Sequence, residues 1–260
     1  DILYDVPKML FSSNGPLALK WNHVPKMLPW FFNYLKNCNE KSMLHTAKQM
    51  HQILNLSIDA YEEIFQEIDT TGLVEKKGII YIWTNKNSKS RKLEIKVRDE
   101  LGIEQKLLTQ KEVLDLEPNL QPVFDAGVIY ESAMHARDPH GILKEIFKLF
   151  LDKGGKFIQE NITKLEQIND HQTIIKSENK KYNFEKTVIA SGAFSKNLTD
   201  QLGENIPLDT ERGYHVHFKN MDHLISRPVI FLDRGFGMTP MNQGLRAVGT
   251  VELGGLKNSL

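Results

Sequence analysis

The sequence contains a single cysteine, Cys38, among its 260 residues, and this scarcity limits the kinds of protein it can be. One thiol excludes an internal disulfide framework and fits a reducing compartment. No apolar run reaches the roughly 18–20 residues that a membrane-spanning helix needs, and we expect no signal peptide at the start. The expected location is therefore the cytoplasm, or the inner face of the cell membrane as a peripheral protein.

Neither sign of charge is in excess, because Lys+Arg and Asp+Glu both number 33. This balance gives no support to a nucleic-acid partner. Hydrophobic residues make up 40% of the chain and charged residues 25%, which is an ordinary globular composition. The length allows one large domain or two smaller ones.

Acidic residues are missing from one long stretch near the start. Between Asp5 and Glu40 the only formally charged side chains are lysines, and tryptophan, phenylalanine and leucine lie between them. Basic residues among large apolar ones are typical of a segment that lies on an anionic membrane surface. The same residues also fit the core of a larger fold. Residues 8–36 therefore have two interpretations, peripheral membrane contact or core.

Several chemical motifs are absent as well. The sequence has no G-x-S-x-G elbow, no P-loop and no G-x-G-x-x-G dinucleotide fingerprint. His135 and His140 flank Asp138 on a loop without a cysteine partner, so no metal site is predicted. Nothing around Cys38 indicates a nucleophile. The catalytic residues are unknown at this stage.

Segments with the apolar spacing of helices alternate along the chain with segments that have the composition of strands. Apolar residues recur every three or four positions over residues 43–68, which predicts a helix. Further helices are predicted after the capping-box spacing at Thr109 and over residues 142–151. Runs of β-branched and aromatic residues predict strands at 78–83, 127–130, 162–168, 173–177, 182–184, 187–190, 212–218, 229–232, 236–239 and 245–251. This mixture predicts an α/β (α+β mixed) fold with two interleaved domains.

The most informative local pattern is the stretch TVIASGAFS at residues 187–195. An apolar strand buried on both faces, then Ala190, Ser191 and Gly192, then a helix, is how open α/β sheets place a ligand at the end of a strand. The small residues would let a flat cofactor or its phosphates approach the backbone. An ordinary tight turn between a strand and a helix has the same pattern, so both interpretations stay open.

The stretch TVIASGAFS resembles a conserved segment of the D-amino-acid oxidase and glycine oxidase superfamily. Other landmarks in the same order are similar to the D-amino-acid dehydrogenase branch of that superfamily. They are GPLALKW at 15–21, LEPNL at 116–120, the Asp-Pro at 138–139, PLDTERGYH at 207–215, GFGMTP at 235–240 and LRAVGTVE at 245–252. Together they cover nearly the whole chain, and their order makes the resemblance specific.

The resemblance implies a partial FAD/NAD(P)-binding Rossmann-like domain interleaved with an antiparallel-sheet substrate domain. We expect residues 1–40 and 135–205 to form the partial FAD-binding domain, and residues 41–134 and 206–260 to form the substrate-binding domain. The family's G-x-G-x-x-G and its carboxylate-binding arginine are absent from this sequence. We therefore expect the chain to be an internal fragment that lacks both termini, and to be inactive and without flavin absorbance by itself.

The resemblance also implies FAD as the cofactor and assigns candidate site residues. Ile162 would lend its backbone to the adenine ring, and Ala190, Ser191 and Gly192 would lie near the cofactor. Phe236 and Met238 would contact the substrate, although plain sheet core explains both residues as well.

The implied activity is FAD-dependent oxidative deamination of D-amino acids by a dehydrogenase, with hydride moving from Cα to the flavin. The implied partners are an amino-acid substrate and a quinone or another electron acceptor. Two alternatives stay open: a glycine- or sarcosine-type amine oxidase of the same superfamily, and a catalytically silent chain that cannot hold FAD. Adjacent strand residues point to opposite faces, so Tyr214 and His215 cannot both line one pocket.

Overall fold

The computed structural model describes residues 17–19, 24–253 and 255–256, and it divides the chain into two compact units. The larger unit contains the described residues up to Lys153 together with Gly213–Glu252. The smaller unit contains Gly154–Arg212 and the described residues that follow Glu252. Each unit is the part of the chain whose residues mainly contact one another. The FAD-binding and substrate-binding domains predicted from the sequence are defined by function instead, and they stay a prediction.

Six helices of the larger unit lie in the described part of the chain. They are α1 (Val24–Asn37), α2 (Glu40–Leu54), α3 (Ser57–Phe65), α4 (Lys89–Glu100), α5 (Gln110–Leu116) and α6 (Pro139–Asp152). The single helix predicted over 43–68 was wrong, because α2 ends at Leu54, with Asn55 as its C-cap, and α3 begins at Ser57. The apolar stripe continues through both helices, so periodicity alone does not reveal the break.

Two predicted helix starts are confirmed. Thr109 caps α5 through a complete capping box, in which its side chain accepts from the Glu112 backbone and Glu112 bonds back to the backbone of Thr109. The Asp138 side chain accepts from the backbone N–H of Gly141 at 3.0 Å, and Pro139 occupies the first turn of α6.

An eight-stranded mixed sheet forms the centre of the larger unit. Its strands are β1 (Leu17–Leu19), β3 (Ile79–Trp83), β4 (Lys106–Thr109), β5 (Ala126–Tyr130), β10 (Arg212–Lys219), β11 (Val229–Phe231), β12 (Phe236–Met241) and β13 (Gly244–Leu253). The order is β1-β13-β12-β11-β3-β5-β4, and β10 also pairs with β13. The β11–β3 pair is parallel, while β12–β13, β11–β12, β3–β5 and β4–β5 are antiparallel.

The main core lies on one face of this sheet. Its buried side chains are Ile80, Ile82, Leu108, Val113, Leu120, Phe124, Ile129, Ile225, Val229, Phe231 and Leu245. On the other face, Trp83, Val128 and Tyr130 form a second cluster, and Ile95 of α4 packs against it. A two-stranded ribbon of β2 (Val74–Glu75) and β6 (His135–Ala136) completes the larger unit.

The smaller unit contains a three-stranded antiparallel meander, as the sequence predicts. The strands are β7 (Ile162–Asn169), β8 (Gln172–Ser177) and β9 (Lys181–Phe184). A 3-10 turn (Gly192–Phe194), the short helix α7 (Ser195–Thr199) and a second 3-10 turn (Asp200–Leu202) follow. The expected mixed fold class is confirmed by these helices and sheets.

The carboxylate of Glu117 holds two distant parts of the larger unit together. Glu117 is only 2% exposed, and it accepts from the backbone N–H of Ser226 at 2.8 Å and from Arg227 Nε at 3.1 Å. The Ser226 hydroxyl donates to it as well. Arg227 in turn donates to the carbonyl oxygen of Lys77 at 2.9 Å. These bonds join the loop after α5 to the segment that leads into β11.

We expect Glu117→Ala to reduce the free energy of unfolding by about 3 kcal/mol, because it leaves a partly buried guanidinium and a partly buried N–H without their acceptor. Urea unfolding followed by tryptophan fluorescence measures the change. The control is Glu62→Ala, which breaks an exposed pair with Lys76 and should change the stability far less. Equal losses in the two variants would contradict a special role for Glu117.

Candidate functional site

Ile162, a predicted cofactor contact, is the first residue of β7 in the smaller unit. It pairs with Ser177 of β8 and is half-buried. Its backbone therefore lies at the end of the β7–β8 ladder. A flat ring could be placed against the backbone at that end. Contact with an adenine ring stays a prediction.

The strand predicted at 187–190 was wrong. Residues 186–191 are irregular, and Val188 is 87% exposed where a strand buried on both faces was expected. A strand needs neighbours to accept and donate its ladder hydrogen bonds. Within the described residues no strand pairs with this segment, so its apolar sequence alone does not make it extended and buried.

Ala190, Ser191 and Gly192, the other predicted cofactor contacts, form an open turn. All three are exposed, and Gly192 has a φ of 54°. A Cβ placed at Gly192 would meet nothing within 4 Å. Among the described residues no atom lies close to this position, so its backbone is accessible to a flat group. The geometry thus fits the predicted use, while α7 with its five residues is too short to add a helix-terminus anion site.

Phe236 and Met238, the predicted substrate contacts, lie in the larger unit on the core face of the sheet. Phe236 stacks on Phe231 with ring centroids 4.6 Å apart, and both predicted residues pack against the main core cluster. These contacts are those of sheet core. Their role toward a substrate stays a prediction.

In the described part of the chain, β10 and β13 carry large side chains that are exposed to solvent. In the β12–β13 ladder Gly237 pairs with Val248, so Val248 lies on the face away from Phe236 and Met238. Glu252, four residues further along β13, accepts from Tyr214 Oη at 3.1 Å. We call the exposed surface made by Tyr214, Val216 and Phe218 of β10 with Val248 and Glu252 of β13 the open face.

Large side chains on the open face are exposed to solvent: Tyr214 is 38% exposed, Val216 58%, Phe218 44% and Val248 38%. The neighbouring His215 goes to a different partner, since its Nδ1 lies 3.4 Å from Arg246 Nη2. The sequence did not predict the contact of Tyr214 with Glu252, because the register of β10 against β13 is not visible in a single sequence.

Gly244 allows β10 to approach β13 closely. Its φ is 137°, and a Cβ there would lie 2.1 Å from the carbonyl oxygen of Phe218. No side chain fits that space, so only glycine is compatible with this contact. The turn between β12 and β13 thereby sets the position of the open face.

A groove of about 590 Å³ lies between α2 and α4. Met43, Met50 and Leu54 of α2 line one side, and Val97 and Leu101 line the other. None of the predicted site residues lines this groove. The six predicted residues fall into different units, with Ile162, Ala190, Ser191 and Gly192 in the smaller one and Phe236 and Met238 in the larger one.

His135 lies in a buried polar cluster of the larger unit. It is 7% exposed, and its Nε2 is 3.9 Å from Glu75 Oε2. Neither ring nitrogen has a hydrogen-bond partner among the described residues. Arg137 approaches Glu75 at 3.6 Å and binds Asp222 at 3.0 Å. No group of three His, Cys, Asp or Glu residues in the described part of the chain could hold a metal ion.

Burial is the largest influence on His135 and lowers its pKa below the ordinary value of 6.5. The positive charges of Arg137 and Lys77 lower this pKa further, while Glu75 opposes them. The unfolded chain consequently takes up the proton first on acidification. The contribution of His135 to stability is present above pH 6.5 and is lost as the pH falls through the folded-state pKa.

We expect the free energy of unfolding to fall between pH 7.5 and pH 5, and His135→Gln to remove part of that fall. Urea unfolding at both pH values, followed by the fluorescence of the buried Trp83, measures it. His171→Gln, at an exposed turn residue, is the control and should keep the pH dependence of the unchanged protein. An unchanged pH dependence in His135→Gln would contradict the assignment.

Comparison with known proteins gives a family. The model of the FAD dependent oxidoreductase family (DAO) matches residues 21–258. A D-amino-acid oxidase of Bradyrhizobium diazoefficiens is 30% identical over 253 residues, which are 97% of this chain and 60% of that protein. A D-amino acid dehydrogenase of Vibrio atlanticus is 24% identical over 254 residues, 95% of this chain and 61% of that protein.

Solved structures share the fold. Glycine oxidase from Geobacillus kaustophilus superposes with a TM-score of 0.61 at 16% identity, over 85% of this chain and 56% of that one. L-proline dehydrogenase from P. horikoshii gives 0.63 at 16% identity, over 76% and 54%. The chain spans about 60% of the length of the curated relatives it matches. With a family model that matches nearly its whole length, the chain belongs to the FAD dependent oxidoreductase (DAO) family.

Proposed function

We propose that the complete protein oxidises the Cα–N bond of D-amino acids with FAD as its cofactor. The observation that carries this proposal is the 30% identity to a protein named D-amino-acid oxidase, over 97% of the chain. A relative named D-amino acid dehydrogenase supports the same substrate class. Oxidation at Cα gives an imino acid, which water hydrolyses to a 2-oxo acid and ammonia.

FAD supplies the hydride acceptor when bound, and the protein supplies binding and orientation. Ala190, Ser191 and Gly192 would hold the cofactor against their open turn, and the backbone of Ile162 would lie against the adenine. The exposure of the turn and the empty space around Gly192 support this use. Phe236 and Met238 are retained as proposed substrate contacts, although their packing against the core supports a structural role instead.

Two acceptors of the electrons are compatible with the family. A dehydrogenase passes the electrons to a quinone or another acceptor, and an oxidase passes them to oxygen. The second candidate function is a glycine- or sarcosine-type amine oxidase, and the fold shared with glycine oxidase is compatible with it.

We expect D-alanine to reduce the flavin of the complete gene product, loaded with FAD, under anaerobic conditions. Flavin absorbance measures the reduction, and L-alanine, glycine and sarcosine are compared at equal concentration. Dye or quinone reduction without oxygen uptake indicates a dehydrogenase, and oxygen uptake indicates an oxidase. Reduction by glycine or sarcosine in place of D-alanine would favour the second candidate.

A loss-of-binding variant separates cofactor binding from turnover. Gly192→Val places a β-branched side chain where φ is 54° and where we propose the cofactor lies. Gly154→Val has a similar backbone strain at a φ of 87° in the same unit, at a residue that is not a proposed cofactor contact, and serves as the matched control. Equal FAD content in the two purified variants would contradict the proposed location.

We also propose that residues 8–36 contact an anionic membrane surface. Residues 8–16 and 20–23 of this stretch lie outside the described residues. In the described part, α1 exposes Phe32 by 66%, Leu28 by 44% and Trp30 by 39%, and Lys36 lies in its last turn. Exposed apolar side chains beside lysines support interfacial binding. No helix of the described residues is long and apolar enough to cross a bilayer.

We expect Phe32→Ser to weaken binding to phosphatidylglycerol-containing vesicles roughly tenfold, since it removes a side chain worth about 1.5–3 kcal/mol on burial. Sedimentation with vesicles measures the affinity. Phe184→Ser, at a phenylalanine that is 44% exposed on β9, is the matched control. Equal binding of all three proteins, or binding to neutral vesicles alone, would contradict the membrane proposal.

A further inference from the structure

The groove between α2 and α4, which we call the α2–α4 groove, has mainly apolar walls. Its volume of about 590 Å³ lies within the range of about 300–1,000 Å³ that is usual for small-molecule sites. Met43 and Met50 line it, and flexible methionine side chains can adapt their shape to a bound ring. Size and lining therefore fit a small organic molecule with an apolar body.

The formal charges of the lining are paired with each other. Arg98 Nη1 lies 3.1 Å from Glu94 Oε2, one turn earlier on α4. The guanidinium also lies over the rings of Tyr81 and Tyr130, 5.4 and 5.3 Å from their centroids. An ionic ligand would lose hydration against the apolar walls without finding a free countercharge. The α2–α4 groove therefore favours an uncharged ligand.

Two hydrogen-bonding side chains lie at the C-terminal end of α2. His51 and Asn55 are four residues apart, so they lie on one face of the helix, and both line the groove. Within the described residues neither side chain forms a hydrogen bond. A neutral imidazole and an amide each carry N–H donors. Carbonyl oxygens of an uncharged ligand would accept from them.

Apolar side chains continue from this end of the groove onto the surface. Leu54 lines the groove and is 55% exposed, while the nearby Ile53 and Leu56 are 74% and 63% exposed. Adjacent exposed apolar side chains mark an interaction site more often than single ones do. They would cover a hydrocarbon tail that leaves the groove. The fitting ligand has an uncharged, carbonyl-bearing head and an apolar tail.

We propose that the α2–α4 groove binds a prenylated quinone, with its ring against the methionines and its tail over Ile53 and Leu56. The quinone ring is uncharged and planar, and its carbonyl oxygens accept from His51 and Asn55. This inference rests on the proposed function, in which a quinone is one acceptor of the electrons. The bound quinone takes up two electrons and two protons from the reduced cofactor and leaves as the quinol, and the cofactor returns to its oxidised form.

Direct binding tests the site without turnover. A ubiquinone with a single isoprenoid unit is titrated into the complete FAD-loaded protein, oxidised and without amino acid, and calorimetry measures the affinity. We expect His51→Ala to weaken binding about fivefold, which corresponds to about 1 kcal/mol, because one hydrogen bond is lost. His45→Ala, at an exposed residue of α2 that does not line the groove, is the matched control and should bind the quinone normally.

A second pair of variants closes the groove. Ala47 lines it, so Ala47→Trp places a large ring where the quinone lies and should abolish binding. Gln49→Trp puts the same ring on the exposed side of α2 and should leave binding unchanged. Circular dichroism checks that both variants fold, and His51→Ala decides the question if Ala47→Trp does not.

The design separates this inference from the proposed function. If no amino acid reduces the flavin, the proposed oxidation fails, yet calorimetry still reports whether the groove binds a quinone. If D-alanine reduces the flavin and His51→Ala binds the quinone normally, the proposed function stands and the inference is overturned. In turnover with D-alanine, His51→Ala should raise the KM for the quinone and not the KM for D-alanine.

Other occupants of the groove give different results. Tighter binding of decanoate than of the quinone would assign the groove to a carboxylate with an apolar tail and overturn the inference. A groove covered by a second copy of the chain, or by another part of the complete protein, would bind no quinone at all. Either result contradicts a quinone site between α2 and α4.

Discussion

The larger unit depends on the parallel pairing of β11 with β3, which joins parts of the chain about 150 residues apart. Val229 lies opposite Ile80, and neither has any exposed surface. The backbone N–H of Ile80 donates to the carbonyl oxygen of Pro228 at 3.0 Å, and Thr84 donates to Asp233 at 2.7 Å. This pairing places β12, β13 and β10 in the same sheet as β5 and β4. Both the main core and the open face therefore follow from it.

Much of the local structure follows from the sequence because its causes are local. The capping box at Thr109, the proline in the first turn of α6 and the alternation of the β7–β9 meander each depend on neighbouring residues. Two expectations fail where the cause is tertiary. The break at Asn55 interrupts a continuous apolar stripe, and the segment at 187–190 lacks a paired strand within the described residues despite its β-branched composition. A high strand propensity does not by itself provide a neighbouring strand for the ladder hydrogen bonds.

The site was predictable only in part, for a related reason. Small residues at Ala190–Gly192 are visible in the sequence, and the structure leaves them open as the pattern indicates. Which side chains of β12 and β10 pack against the core depends on strand register, which a single sequence does not contain. Phe236 and Met238 pack against the main core, whereas Tyr214 is 38% exposed and bonds Glu252.

The contact between Gly244 and Phe218 has a consequence for mutagenesis of the open face. The backbone of Phe218 lies too close to Gly244 for a side chain there, and substitutions at Val216 or Val248 do not alter this backbone contact directly. Libraries that vary Val216 and Val248 would therefore sample new shapes and polarities on a fixed scaffold. Substitutions at Gly244 would instead displace β10. Their effects would then combine a change of backbone position with a change of side chain.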